Sequence, residues 1–128
     1  MKDEPMDILK MPRMEKAEYD RVVTGQYICR IAFKGDKHPY IAPFLYVFDG
    51  RFLYFLSTRY GRKVKYFRDN PSVCVEIENY SPDLSQFGFV ALPGRLAEVE
   101  DAEQKRVVRE RFVRIIQERR LSTNVLSA

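Results

Sequence analysis

The chain has 128 residues, of which 45% are hydrophobic and 31% are charged, and its formal net charge at pH 7 is +4. This composition predicts one soluble globular domain over residues 1–128 and excludes wholesale disorder. No apolar run approaches the roughly 20 residues that cross a bilayer. The charged N-terminus has no apolar signal segment, so we expect a cytoplasmic protein without a membrane partner.

The N-terminal half predicts an arm, a short helix and three strands. Residues 1–12 form an extended arm, and a helix over residues 15–24 ends at Gly25. Apolar and aromatic runs bounded by turn residues predict strands over residues 27–33, 40–48 and 52–57. Asp49-Gly50, between the second and third of these strands, is the strongest hairpin signal in the chain.

The next stretch changes period twice. Residues 61–69 have helical spacing, and this predicted helix stops before Asn70-Pro71. Strict alternation over residues 72–78 predicts a strand. A loop follows, and residues 87–100 predict a long strand that bends at Pro93-Gly94.

The chain closes with a helix and a tail. Asp101 is the predicted cap of this helix, whose apolar stripe is Val108, Phe112, Ile115 and Ile116. Residues 121–128 form a tail without clear structure. About five antiparallel strands with helices at their connections favour a mainly β fold, a small closed or half-open antiparallel β-barrel with peripheral helices.

The second and third strands are apolar on both faces, over residues 44–48 and 52–56. In a strand with one solvent-exposed face, apolar and polar residues should alternate. Since these two strands do not alternate, the second face of each strand must also be covered. A helix, a second subunit or a flat apolar ligand would serve. Three short helices cannot cover everything in a chain of this size, which favours a homodimer interface.

A basic cluster begins where the third strand ends. Helix N-termini present free N–H groups and a positive dipole end, which suits a phosphate. Arg62 and Lys63 would grip its oxygens, and the hydroxyls of Ser57 and Thr58 would add hydrogen bonds. Gly61 permits close backbone approach. The competing interpretation is a solvated basic helix start.

Other reactive side chains predict no chemistry of their own. Cys29 and Cys74 are interpreted as buried, reduced residues, and no metal site is expected. His38 is assigned to a surface turn, and Glu76 and Glu78 to a solvated strand face. The reactive group of an enzyme with this sequence would therefore come from a cofactor.

Six motifs in order carry a family resemblance. They are Tyr40-Ile41-Ala42-Pro43, Asp49-Gly50, Leu53-Tyr54-Phe55, Gly61-Arg62-Lys63, Asn70-Pro71-Ser72-Val73 and Gly94-Arg95. From residue 14 to about residue 105 the chain resembles the flavin-binding split-barrel proteins, the relatives of pyridoxamine 5′-phosphate oxidase.

This resemblance implies a six-stranded split β-barrel, a homodimer, and FMN bound at the dimer interface. It places the flavin phosphate on Arg62, Lys63 and Ser57. It also implies that backbone of the second strand flanks the isoalloxazine ring, and the residues concerned are Ile41, Ala42, Pro43 and Phe44. Phe87 or Phe89 would lie near the ring. The implied function is a flavoprotein oxidoreductase that acts on a small molecule.

The chain also departs from relatives of this family. It has no Trp and ends shortly after its last helix, so we do not expect oxidation of vitamin B6. Nitroimidazole-resistance relatives often have His where Leu56 stands, which argues against nitroreduction and haem ligation at this position. A deazaflavin coenzyme or haem is the alternative cofactor, and a non-catalytic flavin or haem carrier is an alternative function.

A nucleic-acid-binding small β-barrel is the alternative from a different class. It would use basic side chains and stacking tyrosines around the predicted short helix, namely Arg59, Tyr60, Arg62, Lys65, Tyr66 and Arg68. The basic cluster is local, which favours a compact anion over a long polyanion. We therefore do not expect nucleic acid as a partner.

Overall fold

The computed structural model describes residues 6–11, 20–58 and 61–122. In chain order the elements are β1 (Met6–Met11), α1 (Asp20–Thr24), β2 (Ile28–Phe33), β3 (Tyr40–Phe48), β4 (Leu53–Thr58), α2 (Arg62–Asp69), β5 (Ser72–Tyr80), β6 (Phe87–Arg95), β7 (Ala97–Glu98) and α3 (Ala102–Glu118). None of these helices is both long enough and apolar enough to cross a membrane.

The seven described strands form one sheet in the order β6-β5-β2-β3-β4-β1-β7. Every neighbouring pair is antiparallel. Strands β6 and β7 lie at opposite ends of this order although only Leu96 separates them in the chain. The sheet therefore curls back on itself into a half-open barrel. The mainly β fold class is confirmed, with more strands than the five or six expected.

The tight turn between β3 and β4 is confirmed. The Asp49 carboxylate accepts hydrogen bonds from the backbone N–H groups of Arg51 at 2.9 Å and Phe52 at 2.7 Å. Gly50 has a φ of 95°, a conformation that suits a residue without a Cβ. The predicted strand over residues 40–48 agrees with β3 at both ends.

Two predictions about strands were wrong. Part of the N-terminal arm, Met6–Met11, is a sheet strand that pairs with β4 and β7, and its Ile8 and Leu9 are buried. The long strand predicted over residues 87–100 is two strands, and the break falls at Leu96 rather than at Pro93-Gly94.

The ends of the other predicted elements agree in part. Helix α2 and the Asp101 cap of α3 are confirmed, and the Asp101 carboxylate accepts from the Gln104 N–H at 2.8 Å. Of the helix predicted over residues 15–24, residues 20–24 are helical and the remainder lies outside the described residues. The same holds for residues 123–128 of the tail.

Apolar side chains bury two separate clusters, one on each side of the curled sheet. The larger cluster fills the barrel and includes Phe44 and Phe55. The second lies outside the barrel, where α3 packs Val108, Phe112 and Ile116 against the sheet. Its sheet side is Leu45, Val47, Tyr54 and Leu56. Helix α3 therefore covers the second apolar face of β3 and β4, the surface that the sequence analysis had assigned to a homodimer.

Candidate functional site

The start of α2 lies where the chain leaves β4 and turns onto the barrel. Val64 and Phe67 are buried and hold the helix there. Gly61 precedes the first turn with a φ of 108°, and a Cβ at this position would meet no atom within 4 Å. Among the described residues no side chain caps the helix, and its first turn holds no acidic residue. Its first N–H groups and its positive dipole end therefore remain available to an anion.

Two of the basic side chains of α2 are engaged in ion pairs. The Lys65 ammonium lies 3.1 Å from the Asp69 carboxylate and 3.7 Å from that of Asp36. The hydrogen bond to Asp69 and the charge of Asp36 raise the pKa of Lys65. Arg68 lies 3.3 Å from the Glu98 carboxylate. These charges have partners within the chain.

The other two cations differ from them. Among the residues that the structure describes, neither Arg62 nor Lys63 has an acidic partner within 4 Å. Arg62 is exposed, and Lys63 is half-buried with its ammonium 5.9 Å from the centre of the Phe44 ring. The structure thus brings together three of the predicted cofactor-binding residues, namely Arg62, Lys63 and Phe44, at one end of the barrel.

The two hydroxyl residues of the prediction end β4. Ser57 is buried, with 2% of its surface exposed, and lines a small void with Val64 and Phe67 beneath α2. Thr58 is the last residue of the strand, and its side chain lies outside the described part of the structure. Because Ser57 is buried beneath α2, an anion arriving from solvent would meet the side chains of Arg62 and Lys63 instead.

The stretch of β3 expected to flank a flavin ring has two different faces. Ala42 and Phe44 point into the barrel and are buried, whereas Ile41 and Pro43 point outward and are exposed. Ile41 exposes 64% of its surface, an unusual fraction for a large apolar side chain. The outward face is therefore able to contact another molecule.

Large apolar side chains continue across the outer surface from β3. We call this surface the open face, defined by the exposed residues Ile28, Ile41, Tyr80, Phe87 and Phe89. Phe87 exposes 63% of its surface, and its ring centre lies 6.3 Å from those of Tyr80 and Phe89. The sequence signal for the open face is the alternation in β6. Phe87 and Phe89 point to one face of this strand and are exposed, whereas Val90 points to the other face and is buried. The extent of this surface was not predicted from the sequence.

An arginine with two glutamates lies on the same side of the sheet. One nitrogen of the Arg30 guanidinium is 3.5 Å from the Glu78 carboxylate and 3.8 Å from that of Glu76. One oxygen of Glu76 is buried without a hydrogen-bond partner. Burial raises the pKa of Glu76, Glu78 raises it further, and Arg30 opposes the rise. The two glutamates are half-buried around one cation, whereas the sequence analysis expected a solvated face.

The remaining candidates carry no site. Cys29 is buried, and burial raises the pKa of its thiol, whereas Cys74 is only half-buried. His38 is exposed at a turn as expected, with Nδ1 3.2 Å from the carbonyl oxygen of Pro39. Within residues 6–11, 20–58 and 61–122, no three His, Cys, Asp or Glu side chains are grouped to hold a metal ion.

The residues suggested for nucleic-acid binding do not form one free surface. Lys65 and Arg68 are ion-paired, and Tyr66 packs against Tyr40 with ring centres 5.3 Å apart. Residues 59 and 60 lie outside the described residues.

The curled antiparallel sheet with an uncapped basic helix at one end defines a small split-barrel protein. The family model described as pyridoxamine 5′-phosphate oxidase matches residues 15–127, and the chain belongs to this family. A FAD-binding protein from Mesorhizobium loti has a similar solved structure, with a TM-score of 0.63 and 19% sequence identity. The match covers 89% of this chain and 78% of that one. Comparison with curated proteins gives no match.

Proposed function

We propose that this protein is an FMN-binding flavoprotein, a homodimer that acts as an oxidoreductase on a small molecule. The observation that carries the proposal is the pair of cations Arg62 and Lys63 at the uncapped start of α2, which have no acidic partner among the described residues. Membership of the pyridoxamine 5′-phosphate oxidase family supports it, as does the flavin named for the similar structure.

The residues at the start of α2 fit a phosphate monoester. Arg62 offers a planar fork of N–H donors for two oxygens, and Lys63 adds a compact charge. The free N–H groups of the first turn point in the same direction as the positive end of the helix dipole. The space around Gly61 is open, since a Cβ there would meet no atom within 4 Å, so an anion can approach the backbone at this point. Ser57 is buried, so the proposal rests on Arg62 and Lys63.

The open face fits both a second copy and the edge of a planar ring. Ile41 and Pro43 lie on the outward side of β3, whereas the neighbouring Phe44, whose ring centre is 5.9 Å from the Lys63 ammonium, points into the barrel. A ring attached to a phosphate at α2 would extend along this stretch of β3. Phe87 and Phe89 would then enclose it from a second protomer, which would remove their apolar surface from water.

Bound flavin would supply the hydride or electron transfer of the reaction. The side chains of this protein would bind the phosphate, orient the ring and exclude water from it. The single histidine of the sequence is exposed at a turn and the Cys29 thiol is buried, so the proposal assigns neither of them a role in the reaction.

The experiment replaces both cations, Arg62→Ala with Lys63→Ala, and measures flavin affinity by fluorescence quenching. Loss of two charged contacts should weaken FMN binding by several kcal/mol, at roughly 1.5–3 kcal/mol for each charge-assisted hydrogen bond. Riboflavin has no phosphate and should bind weakly to both proteins. The matched control is Lys65→Ala with Arg68→Ala on the same helix, which should leave FMN affinity nearly unchanged because these cations already have partners.

Equal FMN affinity in the wild type and the Arg62/Lys63 variant would overturn the assignment of the phosphate site. Mass spectrometry of the molecule released on denaturation separates FMN from FAD, a deazaflavin and haem. The melting temperature of the flavin-free variant should stay near that of the wild type, since both changes are at a helix start on the surface. A large loss of stability would show that the two cations act through the fold.

A further inference from the structure

A groove lies between the end of α1 and one edge of α3. Its volume is about 170 Å³. The floor is apolar, with Val23 and Tyr46 buried and Phe48 half-buried beside Val47. A cavity of roughly 150 Å³ is large enough to hold a benzene ring. The groove therefore has room for a ring-sized apolar group.

The walls of the groove are held in place by two contacts. The Tyr46 hydroxyl donates a hydrogen bond of 2.5 Å to the carbonyl oxygen of Val23, which fixes the end of α1 to β3. The Arg119 guanidinium donates to the carbonyl oxygen of Gly25 at 3.2 Å and lies 4.9 Å from the centre of the Tyr27 ring. One contact joins α1 to β3, and the other joins the end of α3 to the residue after α1. Because the elements on both sides of the groove are joined in this way, the groove is preformed in the fold.

Two arginines of α3 line the edge of this groove. Arg111 and Arg114 are spaced so that they share one edge of the helix with Ile115. Neither guanidinium forms a hydrogen bond or an ion pair with any side chain in the described ranges. Glu118 lines the groove too, but no ion pair joins it to Arg114 within 4 Å. The groove therefore has two cationic groups against one carboxylate.

Another arginine of α3 behaves differently. Arg106 forms ion pairs with Glu103 and with Glu110, on a part of the helix that does not line the groove. Arg106 is thus ion-paired, whereas Arg111 and Arg114 at the groove have no acidic partner within 4 Å among the described residues. An apolar floor beneath two unpaired guanidiniums is complementary to an anion that carries an apolar body.

We propose that this groove is a second ligand site, which binds a small organic anion composed of a ring-sized apolar body and one carboxylate or phosphate group. The ring would lie over Val47 and Ile115, and Arg111 and Arg114 would bind the anionic group. Its residues are distinct from Arg62 and Lys63 of the proposed flavin site. The proposal therefore stands whether or not the flavin assignment does.

The test titrates the full chain, saturated with FMN and again without it, and follows the backbone and methyl NMR signals. The probes share one ring and differ in charge: benzoate, phenyl phosphate, benzyl alcohol and benzylamine. We expect benzoate or phenyl phosphate to shift the signals of Val23, Val47 and Ile115. Benzyl alcohol, which is uncharged, and benzylamine, which is cationic, should bind at least roughly tenfold more weakly. Whether benzoate or phenyl phosphate binds tighter identifies the anionic group.

The matched variants are Arg111→Gln with Arg114→Gln, compared with Arg106→Gln on the same helix. The double variant should weaken anion binding by roughly tenfold or more, because both charged contacts are lost. Arg106→Gln should leave it unchanged. Equal binding of benzoate and benzyl alcohol, equal effects of the two sets of variants, or no shift at these residues with any probe would each overturn the proposal.

Discussion

The two outer faces of the sheet differ in what covers them. On β3 and β4, helix α3 buries Leu45 and Tyr54. On β5 and β6, large aromatic side chains such as Phe87 and Phe89 stay exposed. Both surfaces come from strands with apolar residues pointing away from the barrel. An outward apolar pattern therefore says that a surface needs a partner, without saying whether this partner is a helix of the same chain or another molecule.

The two faces should contribute to different equilibria. Apolar burial under α3 is present in the single chain and so contributes to its folding free energy. The open face contributes to folding only when another molecule covers it. Exposed apolar patches of this kind are typical of interaction sites on soluble proteins. Substitutions on the two faces distinguish these contributions.

The largest expected effect is on the covered face. Phe112 is fully buried between α3 and the sheet, so Phe112→Ala should lower the free energy of unfolding by about 3–5 kcal/mol through lost burial and a cavity. Urea unfolding followed by circular dichroism measures the change. The control is Val107→Ala on the same helix, a residue with 42% of its surface exposed, and its effect should stay below about 1 kcal/mol. Similar losses for both substitutions would contradict the assignment of the covered face.

The second prediction concerns the open face. If a second copy covers it, Phe89→Arg should weaken dimerisation by about 2 kcal/mol or more, the loss typical of a central interface residue. Analytical ultracentrifugation over a concentration series measures the dissociation constant. Since 58% of Phe89 is exposed in the single chain, the stability of the monomer should change little. Val107→Arg, an exposed position on α3, serves as the control for added charge.

A wild-type protein that stays monomeric at micromolar concentration would contradict the proposed homodimer. A dimer that tolerates Phe89→Arg would show that the two copies meet elsewhere. In that case the open face would need a different occupant.

Local signals in the sequence predicted most of the fold. The hairpin was predictable because the Asp49 carboxylate and the positive φ of Gly50 act within a few residues. The cap at Asp101 is local in the same sense. Strand β1 was missed because its pairing with β4 and β7 depends on residues far away in the chain. The site of the strand break at Leu96 was missed as well, because the Leu96 N–H donates to the carbonyl oxygen of Pro71, which is distant in the chain.

The candidate site was predictable to the level of residue types. Arg62 and Lys63 were singled out by a helix start that follows a strand, which is a local pattern. The ion pair of Lys65 with Asp69 was readable from the helical spacing of four residues, but that of Arg68 with Glu98 was not, because Glu98 comes from another part of the chain. The burial of Ser57 likewise depends on how α2 packs on the barrel.

The smallest expected effect concerns the charge cluster of the open face. The pKa of Glu76 is raised in the folded protein by burial and by Glu78, so the folded state holds its proton more tightly than the unfolded state does. The resulting stabilisation is complete below the ordinary pKa of a glutamate. It is lost as the pH rises through the raised value. Glu76→Gln, which cannot ionise, should therefore be less sensitive to pH than the wild type over this range.

Urea unfolding at about pH 4, below the ordinary glutamate pKa, and at about pH 8 measures this difference. Relative to the wild type, Glu76→Gln should gain stability at the higher pH, by less than about 1 kcal/mol because the side chain is half-exposed and solvent screens its charge. Glu100→Gln, at an exposed position outside the cluster, should show the same pH dependence as the wild type. If the two variants behave alike, the orphaned Glu76 oxygen is solvated in solution. The open face would then be wetter than its aromatic residues indicate, and a dry contact with a second copy would have to exclude this cluster.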